Sequence, residues 1–507
     1  MEPEATMEAT CSTHEESSTK EDHHRLILSP ASRLFHSPRF NCYIVIIMGF
    51  KTRIDSNIVK NGLKVLHNHP RFSCRLLMIY SFLLYKDDRG GKKRWIQVSV
   101  NQEDHVFVPT LNSKIEHPEE FVENYISNLT ASPLDLSKPL WEVHLLNVKT
   151  SNAEGLAVIR MHHSMGDGAS LMSLLLACTR KTSDPNALPS VPTQKRADSS
   201  SDLGWFWRFI LAIWYGITLI ANTLVDIMLF IATLLFLNDA ETPIKGSSDV
   251  HLTTKRFLHR TVSMNHIKQV KNAMGTTVND VVLGVTQAGL SRYLNRRYAG
   301  QNDKDVGTKQ EGSNLPKNMH VRANILVNLR PTVGIQDLAD MMAKKSKVRW
   351  GNCIGYILIP FTIALQDDPL DYVRGAKAVI DRKKHSLEAF FTYLTANLLI
   401  KIIGAKAAGV LAHRIISHST FSFSNLVGPQ EEISFYGHQI TFMSPHVYGH
   451  PHALHMHWQS YADEMTVCLT VDPNVIPDPE KLLDDLEESL KLISHAVMER
   501  GLAVDVV

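Results

Sequence analysis

The segment Trp205–Leu237 constrains this chain most: thirty-three residues, almost all apolar, set between two long stretches of ordinary globular sequence. As a helix it would reach roughly 50 Å, more than the ~30 Å hydrocarbon core of a bilayer. Asn222 and Asp226 interrupt it, and Arg208 stands near its start. A charge at mid-bilayer costs ~2.5–3.5 kcal/mol even on lenient insertion scales, and the runs 209–221 and 227–237 are each short for a span. A tilted span, a re-entrant hairpin, an interfacial helix and a buried core helix all satisfy these residues, with membrane contact favoured over burial in a core.

The flanking sequence is too long for one core. A chain of 507 residues calls for two domains plus extras. Residues 1–24, rich in Glu and Asp, read as a disordered acidic tail. Residues 25–178 read as a first domain, in which strand-like runs (42–48, 75–85, 94–100, 139–148, 155–163) alternate with helical patterns, the mark of an α/β or α+β class. Residues 179–204, with Pro185, Pro189, Pro192 and Ser199-Ser200-Ser201, read as a linker. The apolar segment 205–237 follows, then a second domain over 254–500 with a polar loop at 300–320. A net charge of +2 argues against a nucleic-acid binder, which concentrates Lys and Arg on one face. The basic runs at 344–349 and Arg382-Lys383-Lys384 read first as solvated helix faces, and otherwise as contacts to an anionic membrane or phosphate. Six scattered cysteines show no metal or redox spacing and suit a reducing compartment.

Chemistry concentrates in His162-His163-Ser164-Met165-Gly166-Asp167-Gly168, between a strand pattern ending at Met161 and an apolar helical pattern ending at Cys178. Successive strand side chains face opposite ways, so only one of the two histidines points readily into a given cavity. A histidine there fits general-base work, being largely neutral near pH 7. Asp167 stands where a helix N-cap belongs. As bare residues, the same run equally reads as a structural histidine pair beside a cap. A second histidine group, His446, His450, His452, His455 and His457, places His455 and His457 on one strand face. It lacks carboxylate or thiolate company, so it reads as a partly buried strand and not as a metal site.

This run resembles the HHxxxDG motif of the CoA-dependent acyltransferase superfamily. An ordered set of further matches resembles the plant-type wax ester synthase/diacylglycerol acyltransferase family: Leu28-Ser29-Pro30, His69-Pro70-Arg71-Phe72, Pro139-Leu140-Trp141-Glu142, Asn279-Asp280-Val281-Val282-Leu283, Asn328-Leu329-Arg330-Pro331 and Ser424-Asn425-Leu426-Val427-Gly428-Pro429. The resemblance implies two chloramphenicol-acetyltransferase-like α/β domains, mixed sheets flanked by helices, with a tunnel between them. It implies acyl-CoA as donor substrate, a fatty alcohol or diacylglycerol as acceptor, membrane lipids as surroundings, and neither cofactor nor metal. His163 inherits the role of base and His162 a supporting one. Asp167 inherits a structural role, with Arg330 as its candidate partner. Gly168, Asn279, Asp280, Ser424 and Asn425 fall beside the tunnel, and the last two offer oxyanion donors; a polar turn is the equal alternative for that pair. The alternative function is a catalytically silent lipid-binding or tethering protein of the same fold. Because tunnel residues lie on both sides of Trp205–Leu237, both domains must share one side of the bilayer. The expectation is therefore a shallow or hairpin entry with Asn222 and Asp226 near its turn or polar face, and cytosolic domains at the endoplasmic reticulum or plasma membrane.

Overall fold

The computed structural model describes residues 25–69, 71–79, 92–111, 115–192, 204–247, 249–302, 313–330 and 351–502. The acidic tail, residues 193–203 of the linker, the middle of the 300–320 loop and the basic run at 344–349 lie outside them; the start of the linker is no linker, since Thr179–Lys181 is a strand paired with Ile433–Phe435.

Two mixed sheets carry two apolar cores. The first sheet has seven strands, and at its centre Tyr43–Phe50 pairs antiparallel with Gly155–His162. Both are dominated by β-branched and apolar residues and are buried along nearly their whole length, as sheet-centre strands covered on both faces should be. The second sheet has six strands in the order Arg256–Ser263, Glu464–Val471, Leu454–Tyr461, Phe421–Leu426, Met319–Asn328, Ile354–Ile363. Helices Val278–Asn302, Leu370–Lys384 and Pro479–Glu499 supply buried residues to its core.

The boundary between halves differs from the sequence reading. Residues 433–448, expected within the second domain, belong to the first sheet, where His438–Tyr448 pairs antiparallel with Tyr43–Phe50. Gly49 allows this close pairing, since a Cβ there would stand 2.3 Å from the Phe442 ring. The chain thus crosses back and completes the first sheet before returning to the second, which interlocks the halves.

Trp205–Leu235 is one unbroken helix, so the hairpin is excluded and Asn222 and Asp226 lie at no turn. Asp226 is fully buried, and its Oδ1 accepts from Arg382 Nη2 at 2.9 Å and Lys383 Nζ at 3.0 Å. Lys383 also pairs with Glu388. The run Arg382-Lys383-Lys384 is therefore not a plain solvated face: two of its cations hold the apolar helix to the second domain. A second apolar helix, Glu388–Ser417, lies beside the first, joined by the Phe230–Phe391 ring contact at 5.8 Å. Both are long and apolar enough to cross a membrane, and both expose large apolar side chains, from Trp205 and Trp214 to Leu398 and Ile402.

Candidate active site

The motif sits where the strand Gly155–His162 runs out. His162 is opposite Tyr43 in register, and the next residue begins a 3-10 turn, His163–Met165. The backbone N–H of His163 donates to Cys42 O at 2.9 Å, and its carbonyl accepts from Asn352 Nδ2 at 3.0 Å. The two rings part company. His162 Nδ1 accepts from Ser164 N–H at 3.1 Å, and Nε2 meets Asn41 Oδ1 at 2.9 Å, so both nitrogens are engaged and the ring stacks on His36. His163 is buried beneath Phe35, ring centroids 4.3 Å apart. Its Nδ1 has no well-formed hydrogen bond among the described residues, with the residue's own carbonyl within electrostatic reach. Burial holds this imidazole below its ordinary range, against the opposing pull of Asp167.

Asp167 caps the helix Gly168–Cys178, Oδ1 accepting from Ser170 N–H at 3.0 Å. Its Oδ2 lies 2.8 Å from Arg330 Nη1 and accepts from Cys353 N–H at 3.1 Å. Arg330 also reaches Ser170 Oγ at 3.1 Å and Gly351 O. One carboxylate therefore ties the turn, the helix start and the second half of the chain together. Cys353 adjoins Asn352, which holds the His163 carbonyl.

The residues expected beside a tunnel form a second group. A Cβ on Gly168 would come within 3.3 Å of Leu426, so the motif turn packs against the end of Phe421–Leu426, which carries Ser424 and Asn425. Ser424 Oγ bonds His457 Nδ1 at 2.6 Å, and Asn425 Nδ2 donates to Asn279 Oδ1 at 3.4 Å. Asp280 is buried at a helix start, where its Oδ2 accepts from Thr277 N–H at 2.8 Å, a capping arrangement. The remaining motifs brace the histidine strand: Trp141 Nε1–H donates to Phe72 O at 2.9 Å, and Glu142 pairs with buried Arg160 at 2.9 Å.

Sequence reasoning missed Phe35, Asn41 and Asn352, and it read His450 only as part of a partly buried histidine strand. Phe35 had a signal, since Ser29 and Pro30 mark a helix start and that short helix, Pro30–Leu34, delivers the ring. Ser32 on it donates to Ser164 O at 2.9 Å. The later histidines are more deeply buried than the sequence suggested. His457 is pushed down to about 4 by burial, assisted by His163, and His450 well below its ordinary value, also with His163 nearby. His450, His452 and His455 bring ring nitrogens within 4.8 Å of one another, a spacing that would admit a metal ion. They supply no negative charge to offset a dication, and the Lys255 ammonium acts on His455.

The fold is shared with solved structures. One is a wax ester synthase/diacylglycerol acyltransferase from Marinobacter aquaeolei VT8, with TM-score 0.57 and 19% identity over 93% of this chain and all of that one. Another is the first condensation domain of the CDA synthetase, with TM-score 0.52 and 13% identity over 95% and 97%. Family models narrow this class: the wax ester synthase/diacylglycerol acyltransferase catalytic domain matches residues 89–282, and the WS/DGAT C-terminal domain matches 350–494. Arabidopsis thaliana wax ester synthase/diacylglycerol acyltransferase 11 is 53% identical over 94% of this chain and 96% of its own length, and number 5 is 53% identical over 93% and 94%. The chain belongs to the wax ester synthase/diacylglycerol acyltransferase family and is an acyltransferase.

Proposed function

We propose that the chain transfers an acyl group from acyl-CoA to the hydroxyl of a membrane-borne long-chain acceptor, a fatty alcohol or diacylglycerol, with His163 as general base. The observation that carries this is the contrast between the two histidines: both nitrogens of His162 are engaged, whereas His163 is kept neutral by burial and fixed through its backbone. With Nδ1–H turned toward the residue's own carbonyl, Nε2 keeps its lone pair. It takes the hydroxyl proton as the oxygen attacks the thioester carbon. The tetrahedral oxyanion then collapses, the C–S bond breaks, and the imidazolium returns the proton to the CoA sulfur. Such proton transfer contributes ~10²–10⁴ in rate. Ser424 and Asn425 are the proposed oxyanion donors, and Asp167 positions the turn through Arg330.

The two apolar helices support residence on a membrane, with the endoplasmic reticulum as the proposed site and both domains on its cytosolic face. Asp226, buried against the second domain, supports docking of the first helix on the protein and not an isolated span. The test is purified protein in phospholipid vesicles with radiolabelled acyl-CoA and either hexadecanol or diacylglycerol. Ester product with matching CoA release is expected, unchanged by EDTA because no step uses a metal. No ester with either acceptor would refute the reading.

A further inference from the structure

Beside the site lies a chamber of about 90 Å³, lined mostly by apolar side chains. Its inner end is formed by Phe35, Phe40 and His450. Phe35 is the ring stacked on His163, so the chamber ends one aromatic ring short of the proposed base. Its outer wall is the second apolar helix, with Phe230 of the first. That helix is broken at Gly404, where φ is 80°, and chamber-lining residues stand on both sides of the break, Leu399 and Ile400 before it and Leu411 and Ala412 after. Leu398, Ile402, Ile403 and Val410, on the same helix, are exposed. The wall is thus one helix thick, apolar outside, apolar inside but for Thr392, Tyr393, Thr395 and Asn397, and bent in the middle.

Two lining residues do not suit a plain hydrocarbon: His450, both of whose ring nitrogens have no hydrogen-bond partner among the described residues, and Asn324. Asn324 is 1% exposed, and neither the nitrogen nor the oxygen of its amide has a hydrogen-bond partner among the described residues. It shares a strand face with Leu326, and both line the chamber. An unsubstituted alkyl chain packed there would leave the amide sealed from water and unpaired. A chain carrying an oxygen would give Nδ2–H an acceptor.

We propose that this chamber binds a long lipid chain bearing a hydrogen-bonding oxygen, the ester carbonyl of an acylglycerol or a second hydroxyl on an alcohol, drawn from the bilayer past the bend at Gly404 and read by Asn324. The proposal rests on the acyl-transfer reading for its purpose, but its binding claim can be measured alone. A site built to pair a polar group discriminates against the analogue that lacks it, because its own group is then left unpaired. The chamber therefore sets acceptor preference, while His163 supplies the chemistry.

The experiment uses the full chain in phosphatidylcholine vesicles with three photoreactive diazirine probes: diacylglycerol, hexadecanol and a hexadecanediol. Labels are mapped by mass spectrometry in wild type, Asn324→Leu and Ala412→Trp. Labels on 354–356, 392–400 and 408–416 are expected, and Ala412→Trp should abolish them by filling the chamber. Asn324→Leu is near-isosteric and removes an unpaired buried amide, so its melting temperature should not fall. Its labelling by the oxygenated probes should drop about tenfold at subsaturating probe, with hexadecanol unchanged or improved. A drop with diacylglycerol alone identifies the ester carbonyl as the partner; a drop with the diol alone identifies the hydroxyl. Labels elsewhere, or equal loss of all three probes in Asn324→Leu, would overturn the proposal. Chamber labelling without ester formation from any acceptor would overturn the acyl-transfer reading and leave the chamber standing.

Discussion

Asp167→Asn removes one charge and keeps the shape, so its cost follows from who loses a partner. The asparagine Oδ1 can still cap Ser170 N–H. Its Nδ2, however, replaces the oxygen that accepts from Cys353 N–H and faces Arg330 Nη1 at 2.8 Å. Three donors then converge there, although Arg330 Nη1 keeps the retained Oδ1 at 3.0 Å and Asn328 Oδ1 at 3.1 Å. Breaking a buried pair by removing one partner costs ~3–5 kcal/mol. Arg330 keeps Ser170 Oγ and Gly351 O, which places the loss near ~3 kcal/mol. At ~1–2 °C per kcal/mol for a chain of this length, the melting temperature should fall by roughly 3–6 °C. The rate should fall too, by about ten- to a hundredfold, because Asn352 beside Cys353 holds the His163 carbonyl and small misplacements of a base are costly. Adding Arg330→Gln supplies an amide oxygen opposite the new Nδ2, so the double variant should recover ~1–3 kcal/mol relative to additivity. Thermal unfolding in detergent micelles and acyl-transfer rates read both effects. An unchanged melting temperature with a purely catalytic loss, or strict additivity, would refute the positioning role.

Two further outcomes follow from buried ionisable groups. His69, His259 and His457 sit near about 4 and His452 near about 3, all by burial first, and His446, His450 and His455 lie well below their ordinary value. The unfolded chain protonates these rings near pH 6.5 and the folded one does not, so unfolding takes up protons and stability is lost as pH falls through ~6.5 toward ~4. Each contributes ~1.4 kcal/mol per pH unit in that window; urea unfolding at pH 7.5, 6.5 and 5.5 should show a falling midpoint, and a flat profile would contradict the burial. Asp226→Leu should cost ~1–3 kcal/mol, not the ~3–5 of a fully orphaned charge, because Lys383 retains Glu388. Unchanged thermal unfolding in micelles would show that the first apolar helix is not docked through Asp226.

The parts of this molecule written in local sequence were legible, and the parts made by distant pairings were not. The strand-to-helix passage around His163 follows from an apolar run, two glycines and an N-cap, all within fifteen or so residues. The crossing of residues 433–448 into the first sheet depends on pairing with Tyr43–Phe50, nearly four hundred positions away, and no local pattern records it. Asp226 was visible as a costly charge, but its partners Arg382 and Lys383 read as a surface run because their acceptor lay in another segment. The second apolar helix was hidden by Lys401, Gly404 and Lys406, which break its hydropathy where the helix itself bends. His450 and His457 were noticed as a group, yet their closeness to His163 arises only when two sheets meet.

The central claim is that His163, and not His162, moves the proton. The direct measurement is the acyl-transfer rate of His163→Ala and His162→Ala in vesicles, each checked for native unfolding behaviour. His163→Ala should lose at least about a hundredfold in rate with its fold retained. His162→Ala should lose less, mainly through the packing it shares with Asn41, Ser164 and His36. Equal losses from two folded variants, or a His163→Ala rate within a few-fold of wild type, would contradict the account.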